Sequence, residues 1–174
     1  GYIQTRSVEM NLFSDIPLVY WIFYGVVLFI CLVSVIYHFA LKKLIEKQIK
    51  DLASNALEMT PIEFLNMRNK SFGGRGRPKY SNQFNFPGVY ILYNDTKDMY
   101  YVGQGQKVLN RVNSHFTGKG NGDVYADYKY GDKFTIKMIA LNKSGFTTLN
   151  ELERHTISTF DAYAKGYNKT CGNR

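Results

Sequence analysis

The sequence predicts an α+β protein with sandwich-like layers, in which a small, three-stranded, mainly antiparallel sheet is flanked by helices and preceded by one transmembrane helix. Three observations lead to this class. A long apolar run without charge stands near the N-terminus, three short segments of the C-terminal half alternate like strands, and two more carry apolar residues at helical spacing. The 174 residues suffice for one domain with an anchor and a linker.

The charge of the chain indicates the kind of partner it has, and its cysteine content excludes two kinds of cysteine site. The chain has a net charge of +8 and two cysteines. Cys31 and Cys171 cannot form a disulfide framework or a CxxC metal site. Residues 42–80 hold nine Lys or Arg and four acidic residues. A basic segment of this kind indicates an anionic partner, either nucleic acid or an anionic membrane surface.

The apolar run covers residues 16–41, which follow a short N-terminal tail at 1–15. These 26 residues contain no Lys, Arg, Asp or Glu. As a helix they extend about 39 Å, more than the roughly 30 Å of a hydrocarbon core. A signal peptide would need a basic start and a cleavage site, and a core helix would show a polar stripe. The run is therefore interpreted as a transmembrane helix.

Four lysines directly after this run predict its orientation. Lys42, Lys43, Lys47 and Lys50 lie within the distance over which positive charge favours the cytoplasmic side. We therefore expect a single-pass protein with its N-terminus outside and its C-terminal part in the cytoplasm.

Residues 42–85 read as a basic linker, partly helical and partly flexible. Residues 42–57 continue the helical pattern, and Thr60, Pro61 and Glu63 form the signature of a second helix start.

The rest of this linker is rich in Gly, Asn and Ser and lacks an apolar face. Its basic residues Arg75, Arg77 and Lys79 are candidates for binding DNA phosphates. A solvated tether near anionic lipid is the other interpretation of the same three residues, and the sequence slightly favours it.

Residues 86–174 read as one compact domain. Strands are predicted at 88–93, 99–102 and 133–141, and helices are predicted at 106–116 and 149–160. About 90 residues are enough for one core.

Three polar residues on the predicted helices are candidates for chemistry. Glu153 falls in the middle of its helix's apolar stripe, where a carboxylate is costly unless it is paired or binds a metal. Arg111 and His115 are four residues apart and share one ridge. Taken alone, each also fits a structural role, such as an ion pair or a partly buried histidine.

Five elements together resemble the GIY-YIG nuclease family over about residues 86–174. The first two elements each combine a glycine and a tyrosine with a valine that stands in place of isoleucine, and this replacement removes no functional group. The elements are Gly88-Val89-Tyr90, Tyr101-Val102-Gly103, Arg111 with His115-Phe116, Glu153 with Ile157, and Gly166-Tyr167-Asn168. Gln104-Gly105 follows the second element as a departure from the family pattern.

The resemblance implies a role for each of these residues. Tyr90 would help to deprotonate the attacking water, and Tyr101 and His115 would line the same site. Arg111 would neutralise the scissile phosphate, and Glu153 would bind one divalent metal, Mg²⁺ or Mn²⁺. Gly103 and Asn168 would belong to the substrate side of the site, with Asn168 anchoring its architecture. DNA would be the substrate, without a small-molecule cofactor, and the oligomeric state stays open.

The expected function is that of a membrane-anchored, metal-dependent DNA endonuclease, bacterial or phage-encoded. At the cytoplasmic face it would act on incoming phage or other foreign DNA. Three alternatives compete with this hypothesis: a catalytically silent DNA-binding module on a membrane tether, a lipid-binding or structural membrane protein, and an outward-facing nuclease that processes external DNA.

Overall fold

Helices and strands follow the order that the sequence predicts, with one additional helix. The computed structural model describes residues 17–69 and 85–172. The elements within these ranges are α1 (Leu18–Asn55), α2 (Pro61–Asn69), β1 (Gly88–Asn94), β2 (Met99–Gly105), α3 (Val108–Phe116), α4 (Gly122–Tyr130), β3 (Phe134–Ala140), a 3₁₀ turn (Leu141–Lys143) and α5 (Leu149–Thr159). The chain divides into two units, Gly1–Lys43 and Leu44–Arg174.

The first unit contains the apolar part of α1. Its side chains are exposed along the whole run, including Leu28 and Phe39 at 71% and 70%. Of the helices in the described residues, α1 is the one that is long and apolar enough to cross a membrane. Its apolar surface is therefore not covered by the part of the chain that the structure describes.

The second unit is built on a sheet with strand order β2-β1-β3, in which both pairings are antiparallel. The central strand β1 is buried on both faces, which explains its nearly continuous apolar sequence. Its even-numbered residues Tyr90 and Leu92 point to one face, and Val89 and Ile91 point to the other. The three-stranded antiparallel sheet that the sequence predicts is thus confirmed.

Helices cover both faces of this sheet and form an α+β sandwich. The Tyr90 face packs against α2, α3 and α4, and the Val89 face packs against α5 and the second half of α1. The buried members of the first face are Met59, Phe64, Tyr90, Leu92, Val108, Leu109, Val112, Phe116, Val124, Phe134, Ile136 and Tyr167. Those of the second face are Ile49, Ala53, Val89, Ile91, Val102, Ile139, Leu152, Ile157 and Ala162.

Residues 44–69 contribute buried side chains to both layers. Ile49 and Ala53 of α1 are 0% and 5% exposed, and Phe64 of α2 is fully buried. The predicted helix start is present as a capping box, since the Thr60 N–H donates to the Glu63 carboxylate at 2.7 Å and the Glu63 N–H donates to Thr60 Oγ1 at 3.3 Å. Residues 44–69 of the predicted linker are therefore part of the packed core.

Residues outside the three strands form hydrogen bonds with both edges of the sheet. At the β3 edge, the Met59 N–H donates to the Ile136 carbonyl at 3.1 Å, and the Ile136 N–H donates back at 2.8 Å. At the β2 edge, Asn168 Oδ1 accepts from the Val102 N–H at 2.8 Å, and Asn168 Nδ2 donates to the Val102 carbonyl at 2.7 Å. The N–H and carbonyl groups of Val102 and Ile136, which point away from β1, are thus hydrogen-bonded.

The additional helix is α4, between the third and fourth predicted elements of the domain. Asn121 caps its start by accepting from the N–H groups of Asp123 and Val124, and Gly131 ends it in the left-handed region with φ 104°. Val124 is the only buried residue of α4, so the apolar periodicity that reveals other helices is weak here.

Candidate active site

Two tyrosines are brought together by the register of the β1–β2 hairpin. Tyr90 lies directly opposite Gly103, and Tyr101 lies opposite Leu92 on the same face. The two ring centroids are 6.1 Å apart. A Cβ atom at Gly103 would lie 2.5 Å from Cζ of Tyr90, so the buried Tyr90 ring can lie across the neighbouring strand only because that residue is glycine.

His115 of α3 holds the Tyr90 hydroxyl from the helix side. Its Nε2 atom is 2.9 Å from the Tyr90 oxygen, and its Nδ1 atom accepts from the Asn121 N–H at 2.9 Å. Because Nδ1 is an acceptor, the proton of the neutral imidazole sits on Nε2. His115 therefore donates to the Tyr90 oxygen rather than accepting from it.

Burial sets the protonation states of this pair. It raises the pKa of Tyr90 well above the usual range, with a further contribution from the neighbouring Tyr101 that the Arg111 charge partly offsets. Burial also lowers the pKa of His115 to about 4, and the Arg111 charge acts in the same direction. A protonated phenol beside a neutral imidazole is thus the resting state of the site at neutral pH.

Arg111 lies one turn before His115 on α3 and remains exposed. Its side-chain stem packs over β2, where a Cβ at Gly105 would lie 2.7 Å from Cγ of Arg111. Burial raises the pKa of Tyr101, while the Arg111 charge acts to lower it. The guanidinium is therefore close to both phenols and still accessible to an anion from solvent.

Glu153 enters the site from α5, on the other side of the β2 edge. It is 9% exposed, as its central place in the apolar stripe predicts. Its Oε2 atom accepts from Gln104 Nε2 at 2.9 Å. Glu153 also lines an open cavity of about 290 Å³ together with Tyr101, Asn168 and Lys169. Its charge contributes to raising the Tyr101 pKa, so the two side chains are near each other.

The donor set of this cavity suits one hard divalent cation. Carboxylate and amide oxygens are the ligands that Mg²⁺ prefers, and Mg²⁺ keeps several waters while using one or two carboxylates. In residues 17–69 and 85–172, no group of three or more His, Cys, Asp or Glu side chains is placed to hold a metal. An ion at Glu153 would therefore complete its coordination with water and phosphate oxygens.

The remaining predicted residues have different environments. Both polar atoms of the Asn168 amide bond the backbone of Val102, which accounts for an anchoring role. The preceding Gly166 lies where a Cβ would collide with the Tyr100 carbonyl, so the Gly-Tyr-Asn element can pack against the β2 edge. Arg75, Arg77 and Lys79, predicted as phosphate ligands, lie outside the described residues.

Three residues at the site were not singled out by sequence reasoning. Gln104 and Asn150 contact each other beside Glu153, and Asn121 bonds His115 through its backbone. Asn150 is three residues from Glu153, which places both on one helix face and could have drawn attention to it. In the sequence, Gln104 was noted only because it departs from the family pattern.

Comparison with protein families gives a match for the C-terminal domain. Residues 86–168 match the family model described as the GIY-YIG catalytic domain. No curated protein and no solved structure gives a significant match. The matched range contains Tyr90, Tyr101, Arg111, His115 and Glu153, the five side chains that the fold gathers around the β2 edge.

Proposed function

We propose that this chain, which carries a GIY-YIG catalytic domain at residues 86–168, is a membrane-anchored, divalent-metal-dependent endonuclease that hydrolyses phosphodiester bonds of DNA. The observation that carries the proposal is the convergence of a phenol, a guanidinium and a carboxylate around strand β2. The hydrogen bond of 2.9 Å between Tyr90 and His115 orients the phenol. Such a set provides a base, a charge for the phosphate and a metal ligand.

Tyr90 and Arg111 have separate tasks in this reaction. The phenol proton of Tyr90 is first lost to solvent, and the resulting phenolate takes a proton from the attacking water as the new P–O bond forms. The bond to the leaving oxygen breaks, and that oxygen takes a proton from solvent. Negative charge grows on the phosphate oxygens, and the fixed Arg111 guanidinium stabilises it. The N–H of His115 donates to the phenolate oxygen and so stabilises the form of Tyr90 that acts as the base.

A divalent ion bound at Glu153 would supply charge neutralisation at the phosphate and lower the pKa of a bound water. Glu153 would bind this ion from helix α5. Burial keeps the pKa of Tyr90 above its usual range although the Arg111 charge already acts to lower it, so further positive charge near the phenol, such as a divalent ion, would be needed.

The anchor and the orientation belong to the same proposal. The long, exposed apolar part of α1 supports a membrane anchor, and Lys42, Lys43, Lys47 and Lys50 favour the cytoplasm for the nuclease. A nuclease held there meets DNA as it crosses the membrane and samples the bulk chromosome less than a diffusing enzyme. Degradation of incoming phage or other foreign DNA fits this placement.

The test is cleavage of supercoiled plasmid by the full chain in detergent, with Mg²⁺ and with EDTA. We expect nicking that EDTA abolishes and that Glu153→Gln reduces to the metal-free background. Glu151→Gln is the matched control, since Glu151 lies on the same helix and bonds Thr147 at 3.0 Å.

Metal-dependent cleavage that survives in Glu153→Gln would remove the metal-ligand role. DNA binding without any cleavage by the unaltered chain would favour the silent DNA-binding module instead.

A further inference from the structure

Gln104 is a polar residue on the face of β2 that packs against α5. It lies opposite Val89 in the sheet register and is half-buried. Its Nε2 atom is 2.7 Å from Asn150 Oδ1 and 2.9 Å from Glu153 Oε2. One amide nitrogen thus contacts two side chains of the helix that carries the metal-ligand candidate.

Chemistry fixes the orientation of this amide. An ionised carboxylate only accepts hydrogen bonds, so the Gln104 atom that faces Glu153 must be the nitrogen. An NH₂ group has two hydrogens, and the two acceptors use both. Asn150 and Glu153 are three residues apart on α5 and therefore face the same side. Asn150 thereby holds the amide of Gln104, and that amide holds Glu153.

We propose that Gln104 is a positioning residue that fixes the Glu153 carboxylate for a divalent ion, with Asn150 as its outer support. The inference rests on the proposed function. A site with one protein carboxylate depends on the orientation of that group, and a glutamate side chain has three rotatable bonds to restrain. Hydrogen bonds from outer residues restrain metal ligands in this way, and their loss typically weakens metal affinity 10–100-fold.

The experiment compares Gln104→Met with the unaltered full chain in detergent. Methionine keeps the length and most of the volume but cannot donate to the carboxylate. Mn²⁺ binding is measured by the loss of the free-ion electron paramagnetic resonance signal, and the half-saturating Mg²⁺ concentration is measured for plasmid nicking. We expect both constants to rise about tenfold or more, while saturating metal restores most of the nicking rate.

Gln48→Met is the matched control. Gln48 lies on α1 and is exposed, and its Nε2 donates to the Ser144 carbonyl at 2.8 Å. This change removes the same kind of hydrogen bond from the same unit. It should leave Mn²⁺ affinity unchanged, and thermal unfolding of both variants separates a loss of stability from a loss of metal binding.

Asn150→Ala is the second variant, in case Gln104→Met does not fold. It removes only the outer support, so we expect a smaller weakening of Mn²⁺ binding in the same direction. Unchanged Mn²⁺ affinity in Gln104→Met, or an equal loss in Gln48→Met, would overturn the inference alone. An unaltered chain that neither binds Mn²⁺ nor needs metal for cleavage would overturn the proposed function and this inference together.

Discussion

The direction of the hydrogen bond between His115 and Tyr90 decides what the pair can do. The imidazole donates through Nε2, and its Nδ1 is occupied by the Asn121 N–H. It therefore has no lone pair with which to take the phenol proton. What it offers is an N–H aimed at the oxygen, which favours the phenolate over the phenol. The pair suits a base whose charged form must be stabilised before it takes a proton from water.

Removing the Tyr90 hydroxyl tests this role. Tyr90→Phe keeps the ring over Gly103 and deletes the proton acceptor, so we expect the single-turnover nicking rate to fall by about 10²–10⁴-fold, as for other lost acid–base groups. DNA affinity should change little, because a buried hydroxyl contributes little to binding of the phosphate backbone. Rate and affinity are measured on the same plasmid at saturating Mg²⁺.

Tyr93→Phe is the matched control for this change. Tyr93 lies on the same strand but on the opposite face, where its hydroxyl donates to Asp98 at 2.9 Å. Its loss should leave the rate within a factor of a few. A full rate in Tyr90→Phe would move the base role to Tyr101.

The inward orientation of Glu153 and the shared ridge of Arg111 and His115 could be predicted from helical spacing. The Tyr90–His115 bond and the Gln104–Glu153 bond could not, since each joins residues on elements that are separate in the chain. Spacing reports which face a residue occupies, while contacts across faces depend on how the layers pack. For the same reason the sequence left open which group supports Tyr90.

At the scale of elements, the second half of α1 belongs to the fold of the second unit, Leu44–Arg174, which we name the nuclease unit after its proposed function. Ile49 and Ala53 are buried against the sheet face that also holds Val89 and Ile91. The neighbouring lysines made this segment read as a solvated linker. Its apolar residues nonetheless recur at helical spacing, at Ile45, Ile49, Leu52, Ala53 and Ala56. A truncated chain that begins at Leu44 keeps these contacts, and one that begins at Thr60 loses them.

Replacing Ile49 measures this contribution. Ile49 is fully buried, so Ile49→Ala should lower the free energy of unfolding of the nuclease unit by about 2–5 kcal/mol, through lost apolar transfer and the cavity left behind. Leu44→Ala is the control on the same helix, since Leu44 is 63% exposed and should contribute less than about 0.5 kcal/mol.

Denaturant unfolding of the full chain in detergent, followed by tyrosine fluorescence, gives both values. Equal effects of Ile49→Ala and Leu44→Ala would mean that α1 does not stabilise the nuclease unit.

Helix α4 was not predicted from the sequence, and it shows which kind of element periodicity does not reveal. The helix is nine residues long and is defined by its Asn121 cap and its Gly131 terminus. A single buried valine gives no periodicity, so only the flanking cap residues signalled it. The three strands and the other helices of the domain carried stronger alternation or spacing, and their bounds were predicted to within three residues.

For the whole molecule, the proposed topology makes a prediction about protease access. With a C-terminal tag on the full chain, protease added to spheroplasts should leave the tag intact, because the lysines after the apolar run favour the cytoplasm. A tag at the N-terminus should be removed under the same conditions. Immunoblots before and after membrane lysis give the answer, and digestion of the C-terminal tag from outside would overturn the placement.

Changing Lys42, Lys43, Lys47 and Lys50 to glutamine provides the matched control for topology. It removes the positive charge next to the apolar run, so part of the population should invert if these residues set the orientation. A population that keeps one orientation would show that another part of the chain determines it.

Under the proposed membrane anchoring, the paired positions at the edges of the sheet bear on how closely copies of the protein can crowd together. An open strand edge is a template on which a strand of another molecule can add, and proteins held in two dimensions meet each other often. Here Asn168 occupies the outer backbone groups of Val102, and Met59 occupies those of Ile136. Sheet-to-sheet aggregation between crowded neighbours would first have to displace one of these two residues. The Gly-Tyr-Asn element thus also guards against self-association.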